Sequence, residues 1–218
     1  MKRVTFYYVR HGRTLFNEVG KMQGWSDSPL TEEGIANAYQ AKKLLEDINF
    51  NHIYTSTSER CIDTANIIKG DRDIPISYEK GLKEVNFGRF EGVTMSNHQE
   101  EVDRRRFGDF DWSDVGGENV EMLAERVLKT YDAIFEKSAD NDNILIVSHG
   151  SVFMYMISFM FGLDRKYYLS QAAQGDRKDM PAPNGYVAKF SRIGDEYHLD
   201  KLNKRDDSFL EKLYAAKL

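Results

Sequence analysis

The sequence predicts an α/β protein: a three-layer α/β/α sandwich whose mostly parallel central sheet contains one antiparallel strand, with an irregular lid inserted into it. Short runs of β-branched and aromatic residues alternate with longer segments of helical period, which is typical of parallel strands joined by helices. Two of these runs, residues 4–9 and 144–148, are almost entirely apolar. Such runs indicate strands that are buried on both faces, so helices are expected on both sides of the sheet.

The first part of the chain alternates strands and helices. After the strand at 4–9, Thr31 is predicted to cap a helix. The apolar face of this helix is expected to contain Ile35, Ala38, Ala41, Leu44, Leu45 and Ile48. A strand over 51–55 and a helix over 58–69 follow, and then a short strand over 74–78, which Pro75 places at a sheet edge.

Residues 81–117 interrupt this alternation. They show no strong period and are rich in Gly, Phe, Arg and Asp. Long irregular segments inside compact domains are often lids or binding loops, so we expect a lid with one short helix around 96–105.

Regular structure resumes after the lid. A helical period runs through 118–138, the strand at 144–148 follows, and a helix is predicted from about 151 to 161. Two strands, 186–191 and 196–202, are expected to form a closing hairpin around Gly194-Asp195, with a last helix over 207–217.

Composition limits the class of protein. A chain of 218 residues with 41% hydrophobic residues suits a single domain over 1–218, and a net charge of −5 argues against general nucleic-acid binding. The longest apolar stretch, 152–163, is too short to cross a bilayer. One cysteine, Cys61, and the absence of a signal peptide predict a cytoplasmic protein without an internal disulfide, in which Cys61 packs inside a helix interface.

Two predicted strands end in a histidine followed by glycine. His11-Gly12 follows the first strand, and His149-Gly150 follows the strand at 144–148. One histidine at a strand end is usually structural, but two on neighbouring parallel strands would lie close together where open α/β sheets bind ligands. Each also precedes a segment whose N–H groups suit an anion.

Two arginines add positive charge near these histidines. Arg10 lies beside His11, and Arg60 falls in the first turn of its predicted helix, where a cation opposes the helix dipole. Arg60 therefore needs an anionic partner. That partner is either Glu59 or Asp63 in a surface ion pair, or a phosphate group, which a guanidinium binds through two parallel hydrogen bonds.

Four motifs resemble those of the histidine phosphatase (phosphoglycerate mutase-like) superfamily. They occur in the family's order between residues 4 and about 151, each at a predicted loop after a strand. The first motif consists of Arg10-His11-Gly12-Arg13-Thr14 with Asn17, Gln23-Gly24-Trp25-Ser26-Asp27, Leu30-Thr31 and Gly34. The second is Ser56-Thr57-Ser58-Glu59-Arg60-Cys61-Ile62-Asp63-Thr64-Ala65. The third is Leu82-Lys83-Glu84 with Gly88 and Glu91-Gly92, and the fourth is Val147-Ser148-His149-Gly150.

The resemblance implies phosphoryl transfer through a phosphohistidine. His11 would be the nucleophile, with its tautomer fixed by a backbone carbonyl, and Glu84 the general acid and base. Without that context, Glu84 would more simply pair with Lys83 or Arg89. Arg10, Arg60 and His149 would surround the phosphoryl oxygens. The residues expected to bind substrate are Arg10, Asn17, Gln23, Gly24, Arg60, Glu84 and Gly150. No metal or other cofactor is implied, and the expected partner is a small phosphate ester rather than a nucleic acid or a membrane.

One segment favours a phosphatase. The family's mutases carry Arg-His-Tyr directly after the catalytic glutamate, and this chain has Val85-Asn86-Phe87 there. We therefore expect a phosphomonoesterase, with a cofactor-dependent phosphoglycerate mutase as the alternative and a non-catalytic phosphate-binding module as a weaker one. Departures at Arg13, Leu15 and Lys21 concern specificity. The oligomeric state stays open, a homodimer being one alternative.

The sequence also bears on the side chains that surround the phosphate site. The Arg104–Arg106 run is either a solvated face or an anion-attracting rim on the lid. An apolar wall above the phosphate is expected from Phe16, Met22, Trp25, Phe87, Phe90 and Trp112.

Overall fold

A computed structural model describes residues 1–108, 110–163 and 182–202. They include one six-stranded sheet with the strand order β3-β2-β4-β1-β5-β6. The strands are β1 (Arg3–Arg10), β2 (His52–Ser56), β3 (Ile76–Glu79), β4 (Asn143–Ser148), β5 (Val187–Ile193) and β6 (Glu196–Leu202).

Strand direction follows the prediction. β1, β2, β3 and β4 run parallel, and β5 pairs antiparallel with both β1 and β6. Among the six described strands, β5 is therefore the one that runs antiparallel to the others. Arg10 is opposite Ser148 in the β1–β4 register, so these two central strands end at the same level. The predicted edge position of β3 is also confirmed.

Helices cover both faces of the sheet. They are α1 (Leu15–Glu18), α2 (Glu32–Leu44), α3 (Glu59–Lys69), α4 (Gln99–Phe107), α5 (Val120–Lys137) and α6 (Gly150–Phe159). One apolar core joins α5, α6 and the lid to Phe6 and Tyr8 of β1, and a second joins α2 and α3 to Val9 of the same strand. Cys61 is buried in this second core, as predicted. The α/β/α layering is thereby confirmed.

The buried face of α2 is narrower than the sequence indicated. Thr31 caps the helix as predicted, its hydroxyl accepting from the Gly34 N–H at 3.1 Å, but the helix ends at Leu44. Ile35 and Leu44 were expected in the core and are 42% and 47% exposed. The buried residues of α2 are the small ones, Gly34, Ala38 and Ala41. In its first turn the reason is a close approach, since a Cβ on Gly34 would lie 2.0 Å from the Arg13 carbonyl oxygen.

The insertion at 81–117 is irregular and contains one short helix, α4, together with short 3₁₀ turns. It is nonetheless part of the main core, since Phe110 and Trp112 are fully buried. The three arginines of the 104–106 run have different environments: Arg104 is exposed, Arg105 is buried against Trp112 and ion-paired to Glu101 and Asp114, and Arg106 lines a pocket. The helix predicted over 207–217 lies outside the described residues.

Candidate active site

The ends of β1 and β4 bring the two histidines together. The ring centroids of His11 and His149 are 5.3 Å apart, and both rings are buried. Arg10 is the last residue of β1, and Arg60 enters from the first turn of α3. The predicted cluster of two histidines and two arginines therefore forms at one edge of the sheet.

The His11 ring is held in its neutral form. Its Nδ1 lies 2.8 Å from the Gly12 carbonyl oxygen. A carbonyl only accepts, so the neutral ring carries its proton on Nδ1 and leaves Nε2 with a lone pair. Burial, followed by the charges of Arg60 and Arg10, holds the pKa of His11 well below its usual range. The ring is therefore neutral at pH 7, with Nε2 unprotonated.

Arg60 is fully buried and heavily bonded through its two terminal nitrogens. Nη1 donates to the Ser26 carbonyl at 3.0 Å and to Asp27 Oδ1 at 2.7 Å, and Nη2 donates to the Gly24 carbonyl at 2.8 Å. Among the residues the structure describes, its ion-pair partner is Asp27, not the neighbouring Glu59 or Asp63 weighed from the sequence. Asp27 thus anchors Arg60 to the loop that carries Gly24.

Two arginine donors in this pocket have no acceptor. Within the described part of the chain, the Nε–H groups of Arg10 and Arg60 are buried and make no hydrogen bond. Both residues line the same pocket as His11. A buried polar group without a partner costs about 1–3 kcal/mol. Two guanidinium groups that line one pocket, each with an unused donor, suit a ligand with several acceptor oxygens.

His149 lies behind Arg60. Its Nδ1 is 3.0 Å from Arg60 Nη2, which only donates, so its proton is on Nε2, which donates to Ser56 Oγ at 2.8 Å. Both ring nitrogens are thus occupied, and His149 is not among the described residues that line the pocket. This differs from the sequence expectation that His149 would contact the phosphoryl oxygens. In this arrangement it orients Arg60, with its pKa held well below the usual range by burial and by Arg60.

The Glu84 carboxylate is held by backbone N–H groups. Oε1 accepts from Val85 and Val152, at 2.9 and 3.1 Å, and Oε2 accepts from Ser151 at 3.1 Å. Two of these donors belong to the N-terminus of α6, which favours a negative charge. The alternative pairing with Lys83 or Arg89 does not occur among the described residues. Glu84 lines the pocket, and Oε2 keeps a lone pair for a second partner.

The remaining predicted binding residues have different roles. Asn17 lines the pocket, and its amide oxygen accepts from Thr14 N–H and from Asn184 Nδ2, at 3.2 Å each. Its NH₂ group is thereby oriented for donation. The Gln23 side chain lines the pocket but is occupied at both ends, since Thr14 Oγ1 donates to its oxygen and its nitrogen donates to Ser28 Oγ.

The two predicted glycines meet close neighbours. Gly24 has φ of +60°, and a Cβ there would lie 2.3 Å from a Glu91 carboxylate oxygen. At Gly150, a Cβ would lie 3.1 Å from Arg10 Nε. Gly150 therefore leaves space for the Arg10 guanidinium, and Gly24 lets its loop pass over Glu91.

Sequence reasoning assigned no role to three residues that shape the site. Glu91 accepts from the N–H groups of Trp25 and Ser26, at 2.8 and 2.6 Å, and so fixes the loop after Gly24. Asp27 anchors Arg60, and Asn184 bonds Asn17. Glu91 and Asp27 did lie in the motifs, and an acidic residue inside a glycine-containing loop is the signal that marks both.

The apolar wall is only partly the predicted one. Met22 and Phe87 line the pocket as expected, together with Met95 and Met154. Phe16, Trp25, Phe90 and Trp112 are not among its described lining residues, and Trp112 is fully buried, in edge contact with Phe87 and Phe90. Of the predicted wall, Trp112 and Phe90 therefore support Phe87 from within the core.

A family model for the histidine phosphatase superfamily (branch 1) matches residues 6–176. The chain belongs to the histidine phosphatase superfamily. The resemblance on which the motif assignment depended is therefore confirmed for most of the chain.

Similar proteins within this superfamily carry both mutase and phosphatase names. "Probable phosphoglycerate mutase GpmB" of Erwinia tasmaniensis is 31% identical over 205 residues, which cover 89% of this chain and 94% of that protein. The structure of a phosphoglycerate mutase from Bacillus anthracis superposes with a TM-score of 0.76 at 27% identity, covering 98% of this chain and 97% of that one. The α-ribazole phosphatase from Shigella flexneri superposes with a TM-score of 0.72 at 26% identity, covering 92% and 96%.

The described residues contain neither a metal-ion cluster nor a membrane-spanning helix. No group of three or more His, Cys, Asp and Glu side chains in ranges 1–108, 110–163 and 182–202 has an arrangement that could hold a metal ion. No helix in the same ranges combines the length and the apolar character needed to span a membrane.

The two buried histidines predict a loss of stability in acid. Their pKa values lie below the ordinary 6.5 in the folded chain, so below about pH 6.5 the unfolded chain binds protons that the folded chain does not. The folded chain therefore has this stability in full above about pH 6.5. As the pH falls below that value, the free energy of unfolding decreases by up to about 1.4 kcal/mol per histidine for each pH unit. Urea unfolding at about pH 7.5 and about pH 5.5 measures it. Between these two pH values, the free energy of unfolding of His11→Asn should fall by about 1 kcal/mol less than that of the wild type. An equal loss in both proteins would contradict the assignment.

Proposed function

We propose that this member of the histidine phosphatase superfamily is a metal-independent phosphomonoesterase that hydrolyses a small phosphorylated metabolite through a phosphohistidine. The single observation that carries the proposal is one pocket lined by His11, whose Nε2 keeps a free lone pair, and by the guanidinium groups of Arg10 and Arg60. A phosphoryl group in this pocket would be attracted by the two guanidinium charges while its phosphorus faces His11 Nε2. Two guanidinium charges then stabilise the charge on the phosphoryl oxygens, as phosphoryl transfer requires.

The reaction has two steps. In the first, a bond forms between His11 Nε2 and phosphorus while the bond from phosphorus to the ester oxygen breaks, and Glu84 gives a proton to the departing alkoxide. In the second, Glu84 takes a proton from water, the hydroxide attacks phosphorus, and the bond to Nε2 breaks to release inorganic phosphate. Covalent catalysis thus divides one difficult displacement into two easier ones.

Phe87 favours water over a sugar acid as the phosphoryl acceptor. Val85 is fully buried, and the Asn86 side-chain oxygen accepts from the Gly88 N–H at 2.8 Å. Phe87 is then the residue of this segment that lines the pocket, and it offers neither charge nor a hydrogen bond. The names of several relatives make phosphoglycerate mutase the second candidate. A mutase must retain a bisphosphorylated intermediate, and Phe87 adds neither a charge nor a hydrogen bond toward one.

Two further cations of the pocket favour an ester with a second anionic group. Lys21 and Arg106 both line the pocket, and no described carboxylate pairs with either. Met22, Met95 and Met154 add a flexible apolar surface that adapts to varied shapes. We therefore propose an ester that joins the phosphate and a second anion by a partly apolar body.

The test is hydrolysis in the presence of a metal chelator. The purified protein is assayed with p-nitrophenyl phosphate and with a panel of alkyl phosphates that differ only in whether they carry a carboxylate. We expect turnover without metal and a lower KM for the carboxylated esters. Interconversion of 2- and 3-phosphoglycerate, with and without the bisphosphate, is measured on the same preparation. Absence of turnover would overturn the phosphatase, and interconversion faster than hydrolysis would establish the mutase.

A further inference from the structure

Arg126 of α5 uses every donor of its guanidinium. Nε and Nη2 donate to the two oxygens of Glu118 at 2.6 and 2.9 Å, Nη1 donates to the carbonyls of Gly81 and Lys83 at 2.9 and 2.8 Å, and Nη2 also donates to the carbonyl of Glu84 at 2.9 Å. Five of five N–H groups are thus bonded. Arg126 is not among the described residues that line the pocket.

Three of those five bonds end on one short loop. Gly81, Lys83 and Glu84 lie at the start of the insertion that follows β3, where sheet hydrogen bonds no longer hold the backbone. The planar, rigid guanidinium group of arginine can donate to three carbonyls of one loop and to a carboxylate at the same time, whereas the ammonium group of lysine cannot. The Glu84 carbonyl also accepts from Trp25 Nε1 at 2.8 Å, so the backbone of this residue is held from two sides.

Glu118 holds the backbone at Asn86, two residues after Glu84. Its Oε2 accepts from the Asn86 N–H at 2.9 Å, and its own N–H donates to the Asn86 carbonyl at 2.9 Å. The Arg126–Glu118 pair therefore holds the backbone on both sides of Glu84. Glu118 is 8% exposed and Arg126 18%, so the pair is largely withdrawn from solvent.

We propose that the Arg126–Glu118 pair positions the carboxylate of Glu84 for proton transfer, an inference that depends on the phosphatase function given above. The backbone of Glu84 is fixed by Arg126, and its side chain is fixed by the N–H groups of Ser151 and Val152. Displacement of an acid by about 1 Å is enough to lower a rate by about 10². Arg126 touches no reacting atom, so its effect passes through Glu84.

The decisive readout is the dependence on the leaving group. Arg126→Lys keeps a positive charge but cannot make five bonds in the same plane. We expect its kcat/KM for an alkyl phosphate, whose alkoxide needs a proton from Glu84, to fall by about 10–100-fold. For p-nitrophenyl phosphate, whose phenolate leaves without a proton, we expect a fall of less than about threefold.

Arg192→Lys is the matched control. Arg192 is also largely buried and also pairs with a carboxylate of α5, Asp132, but it lies on β5 beside Val4, at the far end of β1. The control should lose stability without changing the ratio of the two kcat/KM values. Glu118→Gln is the second test variant, in case Arg126→Lys does not fold, and it should change the ratio in the same direction.

Three results would overturn the proposal while leaving the phosphatase function intact. They are an equal loss on both substrates, no loss on either, and a loss from Arg126→Lys that persists in a Glu84→Gln background. In that background the positioned group is already absent, so the proposal requires the effect on alkyl phosphates to disappear. Failure of the wild type to hydrolyse p-nitrophenyl phosphate would instead be a failure of the phosphatase function itself.

Discussion

His11→Asn is expected to lower kcat/KM by about 10⁴-fold or more on every phosphate ester, including p-nitrophenyl phosphate. Asparagine keeps a nitrogen donor near the place of Nδ1, where it can still bond the Gly12 carbonyl. What it deletes is Nε2, the atom that would attack phosphorus. No described residue lines the pocket with another unprotonated nitrogen, so nothing there takes over the attack.

A histidine outside the pocket controls for general damage. His52 lies on β2, where its Nε2 is 2.9 Å from Ser77 Oγ and its ring stacks on Tyr54. His52→Asn should retain the kcat/KM of the wild type. A rapid-quench experiment completes the test, because acid-labile phosphate should appear on the wild type and not on His11→Asn. Labelling of another residue would show that His11 is not the nucleophile.

The position of His11 was predictable because it follows from local patterns. An apolar run over residues 4–9 and a second over 144–148 predicted adjacent parallel strands, and the ends of parallel strands lie at one edge of a sheet. The same reasoning located Arg60 in the first turn of α3, where its need for a negative partner was evident. Strand ends and helix starts are determined by residues near in sequence, so the sequence alone contains this information.

The partners of these residues were not predictable, because they come from distant loops. Arg60 pairs with Asp27, which precedes it by a helix and a strand, rather than with the nearer Glu59 or Asp63. His149 was expected at the phosphoryl oxygens, yet Arg60 Nη2 and Ser56 Oγ occupy its two nitrogens. Which of several polar groups meet in a buried site is decided by the packing of loops, and periodicity contains no information about that.

In the lid, the sequence likewise did not predict which apolar side chains line the pocket. Phe87 and Trp112 were both expected in the apolar wall above the phosphate. Phe87 lines the pocket, whereas Trp112 is fully buried in edge contact with it. An irregular segment has no period that separates its inner face from its outer one, so composition identified the segment but not the orientation of its side chains.

Glu84→Gln is expected to separate the two chemical steps. For alkyl phosphates, kcat/KM should fall by about 10²–10⁴-fold, because the alkoxide no longer receives a proton as the bond to phosphorus breaks. For p-nitrophenyl phosphate, the first step needs no proton, so kcat/KM should change little. Its kcat should fall sharply, since no carboxylate then activates water against the phosphohistidine.

A fast first step and a slow second step give the release of nitrophenol by Glu84→Gln a distinctive time course. With p-nitrophenyl phosphate, Glu84→Gln should release about one equivalent of nitrophenol in a burst and then turn over slowly, with the phosphoryl group retained on His11. Intact-protein mass spectrometry of the quenched burst measures the retained group. The backbone donors Ser151 and Val152 remain in the variant, so the pocket keeps its shape although one amide hydrogen bond is lost. A burst that is absent while kcat falls equally on both substrates would mean that Glu84 only supports the fold, and the acid and base would have to be sought elsewhere in the pocket.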